Sequence, residues 1–139
     1  MQELEVIAEQ LLQSGDALRE ARAEAMSAAG DALLTSVRGR IGGSGKVQSW
    51  QQKHMGSHGG YTAVRARAKA EHRGYALGYI TNAIESGHKT RTGGKRRRGR
   101  PARDRVAGKH MYRDTKGDAE RIARSAAREI EAAVERSLK

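Results

Sequence analysis

Several residues in this chain have types and spacings that could do chemistry. His54 and His58 stand four apart, the spacing that aims two imidazoles at one divalent cation from a helix face. Gly56, Gly59 and Gly60 surround them and break any helix there, so both are read as solvated loop histidines. Residues 42–46, GGSGK, evoke a phosphate-binding loop. That loop needs a glycine where Arg40 stands and a hydroxyl where Val47 stands, and it follows a strand, whereas this stretch follows a helical one. It is read as a connection. His72, His88 and His110 have no acidic cluster or hydroxyl nucleophile at a recognisable spacing. No catalytic constellation assembles, and no cofactor or metal is expected.

The remaining candidate is KRRRGRPARDR, residues 95–105, in which Lys95, Arg96, Arg97, Arg98, Arg100, Arg103 and Arg105 cluster around the chain's single proline. Arg98-Gly99-Arg100-Pro101 looks like the centre of an AT-hook, in which an extended Arg-Gly-Arg enters a narrow A·T-rich minor groove. Charge by itself supports phosphate contact; only contacts to base edges would give sequence specificity. A loop facing DNA that traverses a channel, or facing acidic protein surfaces, is therefore preferred to a sequence reader.

The charge distribution supports a polyanionic partner. Residues 1–38 carry 3 basic and 7 acidic side chains, residues 39–113 carry 18 and 3, and residues 114–139 carry 6 and 6. The net charge of +11 thus comes from a central basic module between balanced ends. At 139 residues the chain is one domain's worth. It has no Phe and no Cys, its aromatics are Trp50 and four tyrosines, and its core must come mostly from Ala, Val, Leu and Ile. Disulfides and thiolate zinc sites are excluded. So thin a core suggests stability gained by assembly, and hence a homo-oligomer. No window approaches the ~18 apolar residues of a membrane span, and the acidic amphipathic start is unlike a secretion signal, so a soluble protein is expected.

The elements that position these residues are legible as periods. Leu4, Ile7, Leu11, Leu18, Ala21, Ala25, Ala28 and Ala32 predict one helix over residues 1–38, with Gly15 inside it and the glycine-rich run from Gly39 ending it. Its alanine-rich part allows close approach of another helix. Residues 61–70 alternate, with Thr62, Val64, Ala66 and Ala68 on one face and Tyr61, Arg65, Arg67 and Lys69 on the other, which predicts a strand. The HMGSHGG stretch before it suits an antiparallel hairpin with residues 47–55. Residues 74–88 are the most apolar window, a short helix or a strand running into a turn, with Tyr75 and Tyr79 ahead of Glu85. Glu85 is expected either to pair with an arginine or to be a solvated turn residue. Thr115 and Asp118 resemble a capping box opening a C-terminal amphipathic helix over residues 114–139, with Met111 and Tyr112 as its apolar anchor.

A long first helix ending in glycines, the block YALGYITNAIESGHKTR at residues 75–91, and GKHMYRDT at residues 108–115 leading into a last Ala/Glu/Arg helix give this chain its resemblance to a known family. It resembles the small tail-completion and head-tail joining proteins of long-tailed bacteriophages. The resemblance implies a non-enzymatic structural virion protein in the tail or neck, forming a homo-oligomeric ring of sixfold symmetry that contacts neighbouring neck and tail proteins, with double-stranded DNA in its lumen. It also implies that Tyr75, Tyr79, Glu85, Met111 and Tyr112 serve subunit contact or packing. The fold class expected is α+β, with the two terminal helices packed on a small antiparallel sheet that carries a long basic loop. A small AT-hook-like or architectural DNA-binding protein is the alternative, and an RNA-binding accessory protein a third.

Overall fold

The computed structural model describes residues 2–43, 45–89 and 105–139. The fold is α+β, with long helices at both ends of the chain and small antiparallel ladders between them. Helix α1 spans Gln2–Arg40, and Gly39 and Gly42 leave it no side-chain packing to continue on. The amide of Gln48 closes its end by donating to the Arg38 and Ile41 carbonyls at 3.0 and 2.6 Å, two of the acceptors a helix terminus leaves open. Gly43 and Gly45 both take positive φ, so the connection turns directly into a one-turn helix, α2, Lys46–Trp50. Neither a preceding strand nor a long following helix is there to hold a phosphate.

Strands β1 (Gln51–Met55) and β2 (Thr62–Ala66) form the expected hairpin, in register Gln51↔Ala66 to Met55↔Thr62. The second strand stops at Ala66 rather than Ala70 because Lys69 swings to φ 57 and turns the chain into a second, two-residue ladder. That ladder pairs β3 (Glu71–His72) with β4 (Tyr75–Ala76) around Arg73 and Gly74, both at positive φ. The apolar window that follows is helix α3, Leu77–Ser86; Leu77, Thr81 and Ile84 face inward at helical spacing. A third ladder pairs β5 (Gly87–Lys89) with β6 (Arg105–Ala107). Helix α4, Lys116–Ser137, ends the chain.

Helices α1 and α4 run antiparallel. Near one end the Ser14 hydroxyl reaches the Ser137 carbonyl at 3.3 Å, and at the other the Ser36 hydroxyl donates to Asp118 at 2.7 Å. Ala25 and Ala126 are buried between them, small residues that let the backbones approach. Past Ala25 the buried face of α1 runs through Ala29, Leu33 and Val37, while Ala28 and Ala32 of the expected stripe lie at its exposed edge. The shift arises because the hairpin also packs on α1, and the most covered face lies between hairpin and α4. Lys53 fixes the hairpin there by an ion pair to Asp31 at 2.7 Å and a hydrogen bond to the Ser27 hydroxyl at 2.9 Å. Gly30 makes this possible, since a Cβ there would overlap Thr62 and Lys53. The main core is small: Val37, Ile41 and Met111, with Val47, Val64, Ile84 and Tyr112 packed around them.

Candidate interaction site

Of the arginine-rich stretch, Lys95, Arg96, Arg97, Arg98, Arg100 and Arg103 lie outside the described residues; Arg105 is exposed in β6. The β5–β6 ladder brackets residues 90–104, placing Lys89 opposite Arg105 where the two strands open toward them. The base of this stem is built closely. Gly87 has φ +82, and a Cβ on it would come within 2.5 Å of the Val106 carbonyl oxygen. A Cβ on Gly108 would overlap the Glu85 carbonyl, because the returning strand passes directly against the end of α3. There the Lys109 and His110 amides donate to the Ile84 and Glu85 carbonyls at 2.8 and 3.1 Å.

Among the described residues Glu85 forms no ion pair with an arginine, and it does not stand free in a turn. Its two carboxylate oxygens accept the backbone N–H groups of Tyr112 at 2.9 Å and Arg113 at 3.0 Å. It thereby caps, from another helix, the short 3-10 turn (Arg113–Thr115) that runs into α4. With that cap supplied, the capping box expected at Thr115 does not form. The Thr115 hydroxyl instead donates to the Met111 carbonyl at 2.7 Å, since the chain at Thr115 is already helical. Asp118 turns to α1, accepting from Ser36 and from Arg40 at 2.8 Å. The Ser36 hydrogen bond, then the Arg40 guanidinium, hold its carboxyl below the usual carboxylate range.

Met111 lies in the core at 1% exposure, with Tyr112 packed against the same cluster. The Tyr112 hydroxyl donates to Gln51 Oε1, and Gln51 Nε2 donates to the Thr81 hydroxyl and the Val47 carbonyl, each at 3.2 Å. Arg38 adds a hydrogen bond to the Gln51 carbonyl at 2.8 Å. One glutamine, with no exposed surface, thus joins α1, α2, β1, α3 and the lead-in to α4. Burial, then the Glu85 charge, push the Tyr112 hydroxyl up to about 12. Sequence reasoning missed Gln51 and Thr81. A polar residue in a mixed stretch carries no sign of burial, and the partners lie 30 and 61 residues away.

Tyr75 and Tyr79 stay on the surface, their rings stacked at 5.8 Å and 17°. Residues 76–78, between the two tyrosines in sequence, line a groove of about 500 Å³ between the end of β2 and the start of α3, together with Ala66, Arg67 and Lys69 among others. Around it the surface is cationic. Trp50 packs on His72 at 5.4 Å, and desolvation, with Lys46 and Arg73 nearby, lowers the His72 pKa. His54 stands away from His58, accepting from the Arg65 guanidinium at 3.1 Å with its ring near Tyr61. Among the described residues no three His, Asp or Glu side chains are grouped to hold a metal, and no helix is long and apolar enough to cross a membrane. The arrangement offers cations, stacked phenols and apolar shelves, a chemistry of contact.

Comparison with protein-family models, with curated proteins and with solved structures returned no match to this chain.

Proposed function

We propose that the chain is a structural virion subunit that assembles into a homo-oligomeric ring at the head-proximal end of a bacteriophage tail or in the neck, joining tail to head. The sequence resemblance supplies the class, and one observation supports the subunit reading. The first turns of α1 run past the Ser14–Ser137 contact with their apolar side chains in water, Leu4 at 68% and Leu12 at 73% exposure. Large apolar side chains exposed together on one segment mark a contact with another chain. Polyanionic contacts within the neck are assigned to the arginine-rich segment, residues 95–105, on the strength of its charge.

The test is the mass of the purified protein by light scattering at about 0.5 M salt, where a Debye length of about 4 Å strips adventitious nucleic acid. A closed oligomer is expected, formed by the chain itself or on addition of assembled tails. A monomer that fails to join tails but binds A·T-rich duplex would replace this reading with the DNA-binding one.

A further inference from the structure

Helix α1 has two unlike parts. From Ser14 onward it is covered by α4 and then by the hairpin, whereas every residue from 4 to 13 is exposed. Leu4, Ala8 and Leu12 recur there at four-residue spacing, and Glu5 and Glu9, one turn apart, run along the edge of that stripe, three residues before Ala8 and Leu12. The first basic residue in the chain is Arg19. This segment is an acidic amphipathic helix with its apolar face uncovered.

The groove between β2 and α3 is its chemical complement. Arg67 and Lys69 line it, Arg73 lies on the adjoining turn, and Glu71 is the one acid among its lining residues. Among the described residues none of these three cations is paired with a carboxylate. Ala66, Ala76 and Leu77 provide the apolar floor, and Tyr79, 66% exposed, directly follows the lining residue Gly78. The groove cannot take the helix of its own chain. It sits at the C-terminal end of α1, where Arg38 bonds Gln51 and Gln51 pairs with Ala66. About 45 Å of helix, at a rise of ~1.5 Å per residue, separates Ile7 from Arg38.

We propose that residues 4–12 of one copy dock, through Leu4, Ala8 and Leu12, into the groove between β2 and α3 of the next copy, with Glu5 and Glu9, on the edge of that stripe, facing Arg67 and Lys69. This is the helix-in-groove mode of recognition. It is heterologous, since each copy offers a helix at one end and a groove at the other, and such contacts close into rings when the rotation per subunit allows. The inference rests on the ring reading and names the contact that builds it.

Two experiments on the full chain test it. Because the protein has no cysteine of its own, Ala8→Cys and Tyr79→Cys variants mixed under mild oxidation report proximity directly. The mixed pair is expected to cross-link about tenfold more than Ala8→Cys mixed with Arg128→Cys, on an exposed part of α4, given the short Cα separation a disulfide demands. Separately, Glu5→Lys with Glu9→Lys is expected to reduce the oligomer to monomer at low salt, as is Arg67→Glu with Lys69→Glu, and mixing the two variants restores assembly. An oligomer whose mass survives both charge reversals, with cross-linking at the control level, overturns this contact and leaves the ring standing. A protein monomeric alone and with assembled tails, showing no preferred cross-link, overturns both.

Discussion

Replacing Glu85 by alanine removes the acceptor for two backbone donors at once and tests whether α3 sets the start of α4. The carboxylate is half-buried and meets the Tyr112 and Arg113 amides at 2.9 and 3.0 Å. A hydrogen bond to a charged group contributes about 1.5–3 kcal/mol when well buried, and loss of a helix-capping side chain costs about 1 kcal/mol. With partial exposure and two donors that share one acceptor group, the expected loss is about 2 kcal/mol. For a chain of this length that is a fall in Tm of about 6 °C. Glu85→Gln keeps one acceptor oxygen but turns an amide donor toward the other N–H, for a loss of about 1 kcal/mol. Thermal unfolding followed by far-ultraviolet circular dichroism, with urea midpoints at constant m, reads both. Protein concentration must be fixed, because assembly raises apparent stability. If Glu85→Ala stays within the ~0.5 kcal/mol of an unconnected surface substitution, as expected for Glu131→Ala, the carboxylate cap does not hold α4 in place.

Tyr112→Phe leaves Gln51 Oε1 buried without its donor and is expected to cost about 1–2 kcal/mol near neutral pH, read as a lower urea midpoint. The Tyr112 hydroxyl is raised to about 12, above its unfolded value of 10.0, so its contribution is intact below pH 10.0 and is lost as pH climbs toward 12. Urea midpoints across that range should fall less steeply for Tyr112→Phe than for the native chain. Met111→Ala opens a cavity in a core too small to redistribute it, with an expected loss of about 3 kcal/mol and a broadened thermal transition. Arg73→Asn is expected to raise the urea midpoint by about 0.5 kcal/mol equivalent, because Arg73 and Gly74 both hold positive φ and Asn-Gly is the favoured pair there. A lower midpoint would mean that the Arg73 side chain contributes more than its backbone costs.

Both terminal helices and the hairpin were legible because each buries one face, and burial imposes a period on the sequence. Residues 75–84 left helix and strand open because they contain both: Tyr75 and Ala76 pair in a ladder before Leu77, Thr81 and Ile84 take up helical spacing. Helix α2 is a single turn, too short for any period to appear. Thr115 and Asp118 misled because a capping box is a local pattern, whereas Ser36 and Arg40, 82 and 78 residues away, claim the aspartate. Glu85 was singled out by its rarity in a basic region, but a backbone N–H partner leaves no mark on composition. The surface features were easier to find than the buried joints: Tyr75 and Tyr79 are visible as aromatics, Gln51 between Thr81 and Tyr112 only in three dimensions.

The β5–β6 ladder also joins two elements that the sequence keeps apart. The close fits at its base are at Gly87 and Gly108, and just beyond them the Lys109 and His110 amides bond the Ile84 and Glu85 carbonyls of α3. Any side chain at either glycine would push the returning strand off the end of α3 and carry the lead-in to α4 with it.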